Sequence, residues 1–306
     1  MLVSVIIPSY NQGRYIKSTI DSILLQDHRP IEIIIYDGAS NDETIAVLRS
    51  YNGTPELFWC SEPDKGVADA VNKGLQRAHG EILAIQSSDD IYLPGAISAA
   101  VEEFRQYPEN ALVYGEVELI DQDGNLIGRD IQGAFDFNKY IGRFSYIPQA
   151  TAFFRSDVAR QVGGWRSEVS FAADADYWLR IASLYPVKKI DRLMGRYRYH
   201  PEQRDKQSEK IVRDWEKTVR DLLAAHNFSP NTKRFAQMGI FLAKYRYAPQ
   251  AEWFKRTCYL YAALLSNPQA VKDRHFPKRE LLLGREPVWK ILSRLKRILG
   301  FKPRSR

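Results

Sequence analysis

In its first ninety residues the chain alternates short apolar runs with helix-patterned stretches, and that order leaves few folds open. Leu2-Val-Ser-Val-Ile-Ile7 reads as a strand, Pro8-Ser-Tyr-Asn11 as a turn, and residues 14–25 as a helix with Ile16, Ile20, Ile23 and Leu24 on one face. Ile31-Glu-Ile-Ile-Ile-Tyr36 is a second strand. A helix-like stretch at 42–51, a short strand at 57–60, a helix at 67–78 and the apolar run Glu81-Ile-Leu-Ala-Ile85 follow. This β-α-β-α-β-α-β order predicts an α/β fold with a parallel sheet.

Two of these strands deliver acids to one edge. The second runs straight into Asp37-Gly-Ala-Ser-Asn-Asp42, and the run ending at Ile85 is followed by Asp89 and Asp90, just before Pro94-Gly95. In open α/β sheets ligands bind outside the carboxyl ends of the strands. Two adjacent carboxylates there suit a hard divalent cation with oxygen ligands, and a metal-bound phosphate is the natural guest. Taken alone, Asp89 and Asp90 also read as caps of a helix starting at Pro94, since Asp is favoured at helix starts and Pro at the first helical position.

Four ordered motifs together resemble one family. Pro8-Ser-Tyr-Asn11, Asp37-Gly-Ala-Ser-Asn-Asp-Glu-Thr44, the segment Glu62-Pro-Asp-Lys-Gly66 with Asp69-Ala70 and Asn72-Lys-Gly74, and Ser88-Asp89-Asp90 resemble elements of the inverting nucleotide-sugar glycosyltransferases of family 2, over about residues 1–205. The resemblance implies a GT-A fold, a Rossmann-like, mostly parallel sheet with helices on both faces. It implies that Pro8, Ser9, Tyr10, Asn11 and Asp37 line the nucleotide base. A carboxylate only accepts, so Asp37 suits a uracil imide N–H and favours UDP or dTDP over a purine. Lys65 and Asp69 fall where the family contacts base, ribose or phosphate, although Lys65 is equally a solvated loop charge. Asp89 then faces the ribose and Asp90 the Mn2+ or Mg2+ that bridges the phosphates. Ser87 replaces the first acid of the commoner Asp-x-Asp-Asp form, which leaves open which aspartate touches the ion.

An inverting displacement at an anomeric carbon needs one base, opposite the leaving diphosphate. Phe171-Ala-Ala-Asp-Ala-Asp-Tyr-Trp-Leu-Arg180 resembles the family's Glu-Asp-x-Asp-x-x-Leu-Arg segment with Ala173 in place of Glu. The resemblance makes Asp174 the catalytic base, against a plain helix cap. Asp176 is the fallback, otherwise solvated or paired with Arg180 at i,i+4. Residues 146–154 read as a strand. Trp165, in Val162-Gly-Gly-Trp165, either offers an indole face to the acceptor sugar or packs at a loop corner. His200 resembles a family histidine near the metal and diphosphate, and Arg198 either offers a fork to phosphate or balances nearby acids.

With 306 residues and 44% apolar content the chain can bury a sizeable core. The expected division is a catalytic domain at 1–204 and a helical C-terminal appendage at 205–306, punctuated by Pro230, Pro249 and Pro268. Residues 285–306 hold eight Lys and Arg against one Glu, equal to the whole formal charge of +7. There Val288, Ile291, Leu292, Leu295, Ile298 and Leu299 recur at three- and four-residue steps, the pattern of a basic amphipathic helix. Such a helix either lies on an anionic membrane surface, near a lipid-linked acceptor, or packs on the catalytic domain or a second subunit of a homodimer. It does not interleave aromatics and glycines, so no nucleic-acid partner is expected. Cys60 and Cys258 lack metal-type spacing, and the N-terminal apolar run is too short for a signal or a membrane span. The expected location is cytoplasmic, or peripheral on the inner face of the membrane.

These readings converge on metal-dependent inverting transfer of a hexosyl or N-acetylhexosaminyl group from a UDP-sugar to a hydroxyl of a glycan or lipid-linked acceptor, in cell-surface polysaccharide or glycolipid synthesis. One alternative is a non-catalytic nucleotide-sugar-binding or assembly protein, which Ser87 and Ala173 keep open. Another is a nucleotidyltransferase, which would want a Gly-rich basic loop where Pro8-Ser-Tyr-Asn-Gln-Gly-Arg14 stands.

Overall fold

Strands form where the apolar runs fall. The computed structural model describes residues 1–131, 133–143, 146–201, 203, 208–273 and 276–277. The basic stretch 285–306, with its expected helix and its membrane or subunit contact, lies outside the described residues. The chain divides into two units, Met1–Phe135 with Tyr146–Lys206 and Asp136–Ser145 with Gln207–Arg306.

In the first unit β1 (Val3–Ser9), α1 (Ile16–Leu24), β2 (Ile31–Asp37), α2 (Thr44–Arg49), β3 (Leu57–Ser61), α3 (Val67–Arg77) and β4 (Ile82–Ile85) alternate as expected. They are followed by β5 (Ile91–Tyr92), α4 (Ala96–Gln106), β6 (Leu112–Ile120) and β7 (Leu126–Asp130). After α5 (Phe137–Arg143), which goes with the second unit, come β8 (Ala152–Arg155), α6 (Ser156–Val162), α7 (Ala173–Ala182) and β9 (Val187–Arg198). The sheet order is β3-β2-β1-β4-β8-β6-β9-β5, with β7 paired to β6. The first four strands in that order are parallel, and β8 runs antiparallel to both neighbours. Ser9 pairs with Asp37 and Asp37 with Ser61, so three strands end level at one edge.

Both faces of the sheet are covered. Val3, Val5 and Ile7 of β1 and Ile31, Ile33 and Ile35 of β2 form one core with Ile16, Ile20 and Ile23 of α1, Leu48 of α2 and Phe104 of α4. On the opposite face Ile6 meets α3 at Gly74, where an added Cβ would lie 2.3 Å from the Ile6 Cγ2. Gly74→Ala is therefore expected to cost about 1–3 kcal/mol through overpacking, seen as a lower urea midpoint. A variant as stable as the parent would mean that α3 can move off the sheet.

Three local expectations change. Residues 146–154 are not one strand: Gln149–Thr151 is a 3₁₀ turn after Pro148, which has no N–H to give a ladder, and the sheet takes only Ala152–Arg155. α4 starts at Ala96 after Gly95, whose φ of 76° only glycine adopts readily, so Asp89 and Asp90 do not cap it. The cap of α7 is Ala172, which places Asp174 inside the first turn.

The second unit joins α5 to α8 (Ser208–Ala225), α9 (Pro230–Tyr247) and α10 (Trp253–Ser266). Ser229 caps α9, accepting the Thr232 N–H at 3.1 Å ahead of a proline in the first turn. α5 joins this unit because Gly239 lets α9 approach its backbone: a Cβ there would lie 1.9 Å from the Ile141 carbonyl oxygen. No described helix is long and apolar enough to cross a membrane, and Cys60 and Cys258 are free thiols.

Candidate active site

The turn after β2 is organised by Asp37. Its carboxylate accepts the Ser40 N–H at 2.9 Å, the Ser40 hydroxyl at 2.5 Å and the Ser61 hydroxyl at 2.7 Å, and the residue is only 1% exposed. Asp37 therefore holds the loop, with about one of a carboxylate's four acceptor positions uncommitted. The loops after β1 and β2 lock reciprocally. Ser9 accepts the Gly38 N–H at 2.9 Å, Asn11 donates its N–H to Ser40 Oγ at 2.7 Å, and the Asn11 side chain accepts the Asn41 N–H at 3.0 Å. Among the described residues Asn11 and Ala39, at φ of 53° and 61°, are the non-glycine residues with positive φ, one in each loop. Asp42 binds the Gly13 N–H and Thr44. Burial works against its carboxylate, but the Thr44 and Gly13 hydrogen bonds outweigh burial and hold the carboxyl below its ordinary range. Tyr10 stands 60% exposed at this edge.

Asp89 and His200 come together at the end of β4, with Nε2 and Oδ2 2.9 Å apart. The two neighbouring aspartates differ in burial and in partners. Asp90 is 1% exposed and its Oδ1 accepts the Arg198 N–H at 2.9 Å. Burial, and then the charge of Asp89, push its carboxyl well above the usual range. Asp90 is thus turned inward, whereas the Asp89 carboxylate meets the imidazole. Thr19 on α1 anchors this turn by donating to the Ser88 and Asp90 carbonyls, at 3.0 and 2.8 Å. Gln149 reaches it from the other side, donating to Ser87 Oγ at 3.2 Å.

The charge of Arg198 stands against the buried Asp90, and its side chain is held by backbone carbonyls. Its guanidinium donates to the carbonyls of Asp89 (2.9 Å), Asp121 and Gln122 (3.3 Å each) and lies 4.9 Å above the Tyr15 ring, which also packs on His200. Sequence reasoning passed over Thr19, Tyr15 and Gln149. Only Thr19 carried a signal, as a hydroxyl on the apolar face of α1.

The N-terminal turn of α7 carries Asp174, half-buried, and Asp176, fully buried. Asp176 is paired with Arg166 and, at 2.9 Å, with Arg180. Arg180 also donates to the Val162 and Gly164 carbonyls at 2.5 and 2.7 Å. The same loop is clamped by Asn72, which accepts the Trp165 N–H at 2.8 Å and donates to its carbonyl at 2.9 Å. Trp165 is only 6% exposed, so its indole fills the loop corner and does not present a face to a sugar. On α3, Asp69 accepts the Lys65 N–H at 3.2 Å and pairs with Lys73 at 3.3 Å, while Lys65 is exposed.

Among the described residues no group of three or more His, Cys, Asp or Glu is placed to hold a metal ion. Asp89 and His200 still fit one. They supply a carboxylate and an imidazole at one point, and hard cations that serve phosphates take one or two protein ligands and fill the remainder with phosphate oxygens and water.

Parallel strands ending level, acids at their carboxyl edge and a second acid-bearing helix define a GT-A sugar-transferase fold. The family model described as glycosyl transferase family 2 matches residues 4–161, and the chain belongs to that family. It is 27% identical over 252 residues to the chondroitin synthase of Escherichia coli, an alignment covering 81% of this chain and 34% of that protein, so the chain spans about a third of that relative. Among solved structures it superposes on TarS of S. aureus in complex with UDP-GlcNAc with a TM-score of 0.65, at 16% identity, over 89% of this chain and 83% of that one. It also superposes on a mannosyltransferase of Pyrobaculum calidifontis in complex with GDP-Man and Mn2+, with a TM-score of 0.63 at 18% identity, over 97% and 84%.

Proposed function

We propose that the chain transfers a sugar, with inversion, from a UDP-sugar to a hydroxyl of a glycan or lipid-linked acceptor. The observation that carries this reading is the Asp89–His200 contact at the carboxyl end of β4, on the edge where the loops after β1 and β2 lock together. Those loops, Pro8 to Asn11 and Asp37 to Ser40, form the nucleotide wall. Asp89 and His200 would hold Mn2+ or Mg2+, which supplies charge neutralisation for the departing diphosphate. Asp174 takes the proton of the acceptor hydroxyl as its oxygen bonds to the anomeric carbon, and the electron pair of the broken carbon–oxygen bond leaves with UDP. Lys65 and Asp69 lie near the edge as aids to ribose or phosphate. Sugar transfer to a glycan is supported by the relative named for a polysaccharide, and a nucleotide-sugar donor by the neighbours in complex with UDP-GlcNAc and GDP-Man, which divide between UDP and GDP.

Calorimetric titration of UDP and GDP, with and without Mn2+, tests the donor site. UDP is expected to bind more tightly with Mn2+ than without, GDP to bind more weakly than UDP, and Asp89→Asn to lose the increment due to Mn2+. An unchanged increment in that variant removes Asp89 from the metal, and a preference for GDP overturns the choice of donor.

A further inference from the structure

One polar side chain beside the acidic turn has half of its hydrogen-bonding capacity unused. Gln149 donates from Nε2 to Ser87 Oγ at 3.2 Å, and among the described residues its Oε1 has no partner. Its place is open. From Ile147 to Phe154 every other residue is buried, and Gln149 alone is partly exposed. The backbone beneath it is fixed: the Thr151 hydroxyl donates to the Gly115 and Pro148 carbonyls at 2.9 and 3.2 Å, and β9 closes over the turn at Gly195, where an added Cβ would lie 2.7 Å from the Ala150 carbonyl oxygen.

Where the amide stands follows from the sheet. β8 runs antiparallel to β4, with Ala84 opposite Phe153, so the turn that precedes β8 lies at the carboxyl end of β4. Ser87 opens the acidic turn there, which the Asp90 N–H closes on the Ser87 carbonyl at 3.3 Å, and the ends of such a turn lie within about 7 Å of each other. Within it Ser88 and Asp90 are buried, whereas Ser87 and Asp89 are partly exposed. Gln149 thus bonds to one of the two exposed residues of this turn, and Asp89 is the other. The sheet order β2-β1-β4-β8 then sets out a donor from end to end. On the reading above, base and ribose lie at the ends of β2 and β1 and the diphosphate at Asp89 and His200, so the sugar, bonded to the outer phosphate, comes next, at the start of β8. An amide suits a sugar hydroxyl, because it accepts through oxygen, donates through nitrogen, and adds no charge beside a diphosphate. We propose that Gln149 is a specificity residue that hydrogen-bonds a hydroxyl of the transferred sugar, with Ser87 fixing the plane of its amide. The inference rests on the glycosyltransferase reading above and gives it a contact with the sugar that the nucleotide wall does not supply.

Calorimetric titration of UDP, UDP-hexoses and UDP-N-acetylhexosamines, each with Mn2+, into the full-length parent, Gln149→Leu and Gln149→Asn tests it. Leucine keeps the size of the side chain without the amide, and asparagine keeps the amide but withdraws it by one carbon. For the sugar nucleotide that the parent binds most tightly, each variant should weaken binding by about tenfold, the scale of one hydrogen bond. UDP itself should bind all three proteins alike, which shows that the variants are folded. If Gln149 only holds the acidic turn through Ser87, UDP and the sugar nucleotide weaken equally, and that result overturns the proposal. Equal binding of the sugar nucleotide by the parent and both variants overturns it as well. A parent that binds neither UDP nor any of the sugar nucleotides removes the underlying glycosyltransferase reading instead.

Discussion

Asp174→Asn should lower turnover by about 10²–10⁴-fold and leave the affinity for UDP with Mn2+ at the parent value. The asparagine keeps the size and the hydrogen-bonding reach of the side chain at the second position of α7, but it cannot take a proton. Steady-state rates of UDP release, set beside calorimetric binding, separate the two properties. Asp176 is the control that makes the test sharp, because both its oxygens are committed to Arg166 and Arg180 and it is fully buried. A variant at position 174 that turns over normally would remove Asp174 as the base.

Asp176→Ala should act on stability, by about 3 kcal/mol or more, the scale on which breaking one side of a buried ion pair leaves charge uncompensated. Two guanidiniums lose their common partner, and the contacts of Arg180 with the Val162 and Gly164 carbonyls lose their anchor. Urea unfolding followed by tryptophan emission reads the loss where it occurs, since Trp165 lies in that loop and Trp178 on the buried face of α7. A midpoint close to that of the parent would show that the arginines find solvent when released and that the triad has little structural weight.

Much of the catalytic unit was legible in the chain because its strands are nearly continuous apolar runs and its turns carry Asp, Gly, Ser and Asn in fixed order. The alternation from β1 to β4 and the placing of acids at strand ends follow from those two signals alone. The difference in burial between Asp89 and Asp90 does not, because adjacent residues in a turn share composition, and the Arg198 N–H, 108 residues away, decides which one faces inward. Trp165 illustrates the same limit. An indole in a glycine-rich turn reads equally as platform or filler until Asn72 is seen to hold its backbone from both sides. The membership of residues 136–145 in the helical unit was invisible for another reason: no shift in composition marks it, and the close approach at Gly239 is set by tertiary packing.

Arg198 joins the acidic turn, the turn between β6 and β7 and the Tyr15 ring through one planar group, so the donor side has no hinge at that point. On the proposed function, a nucleotide arriving there would meet a surface already assembled, and little of its binding free energy would be diverted into ordering loops. Association then depends chiefly on encounter, with small rearrangement of the backbone. Lysine at this position would keep the charge but lose the flat stack on Tyr15 and the fork that reaches three carbonyls, and with them the contact that ties three segments together.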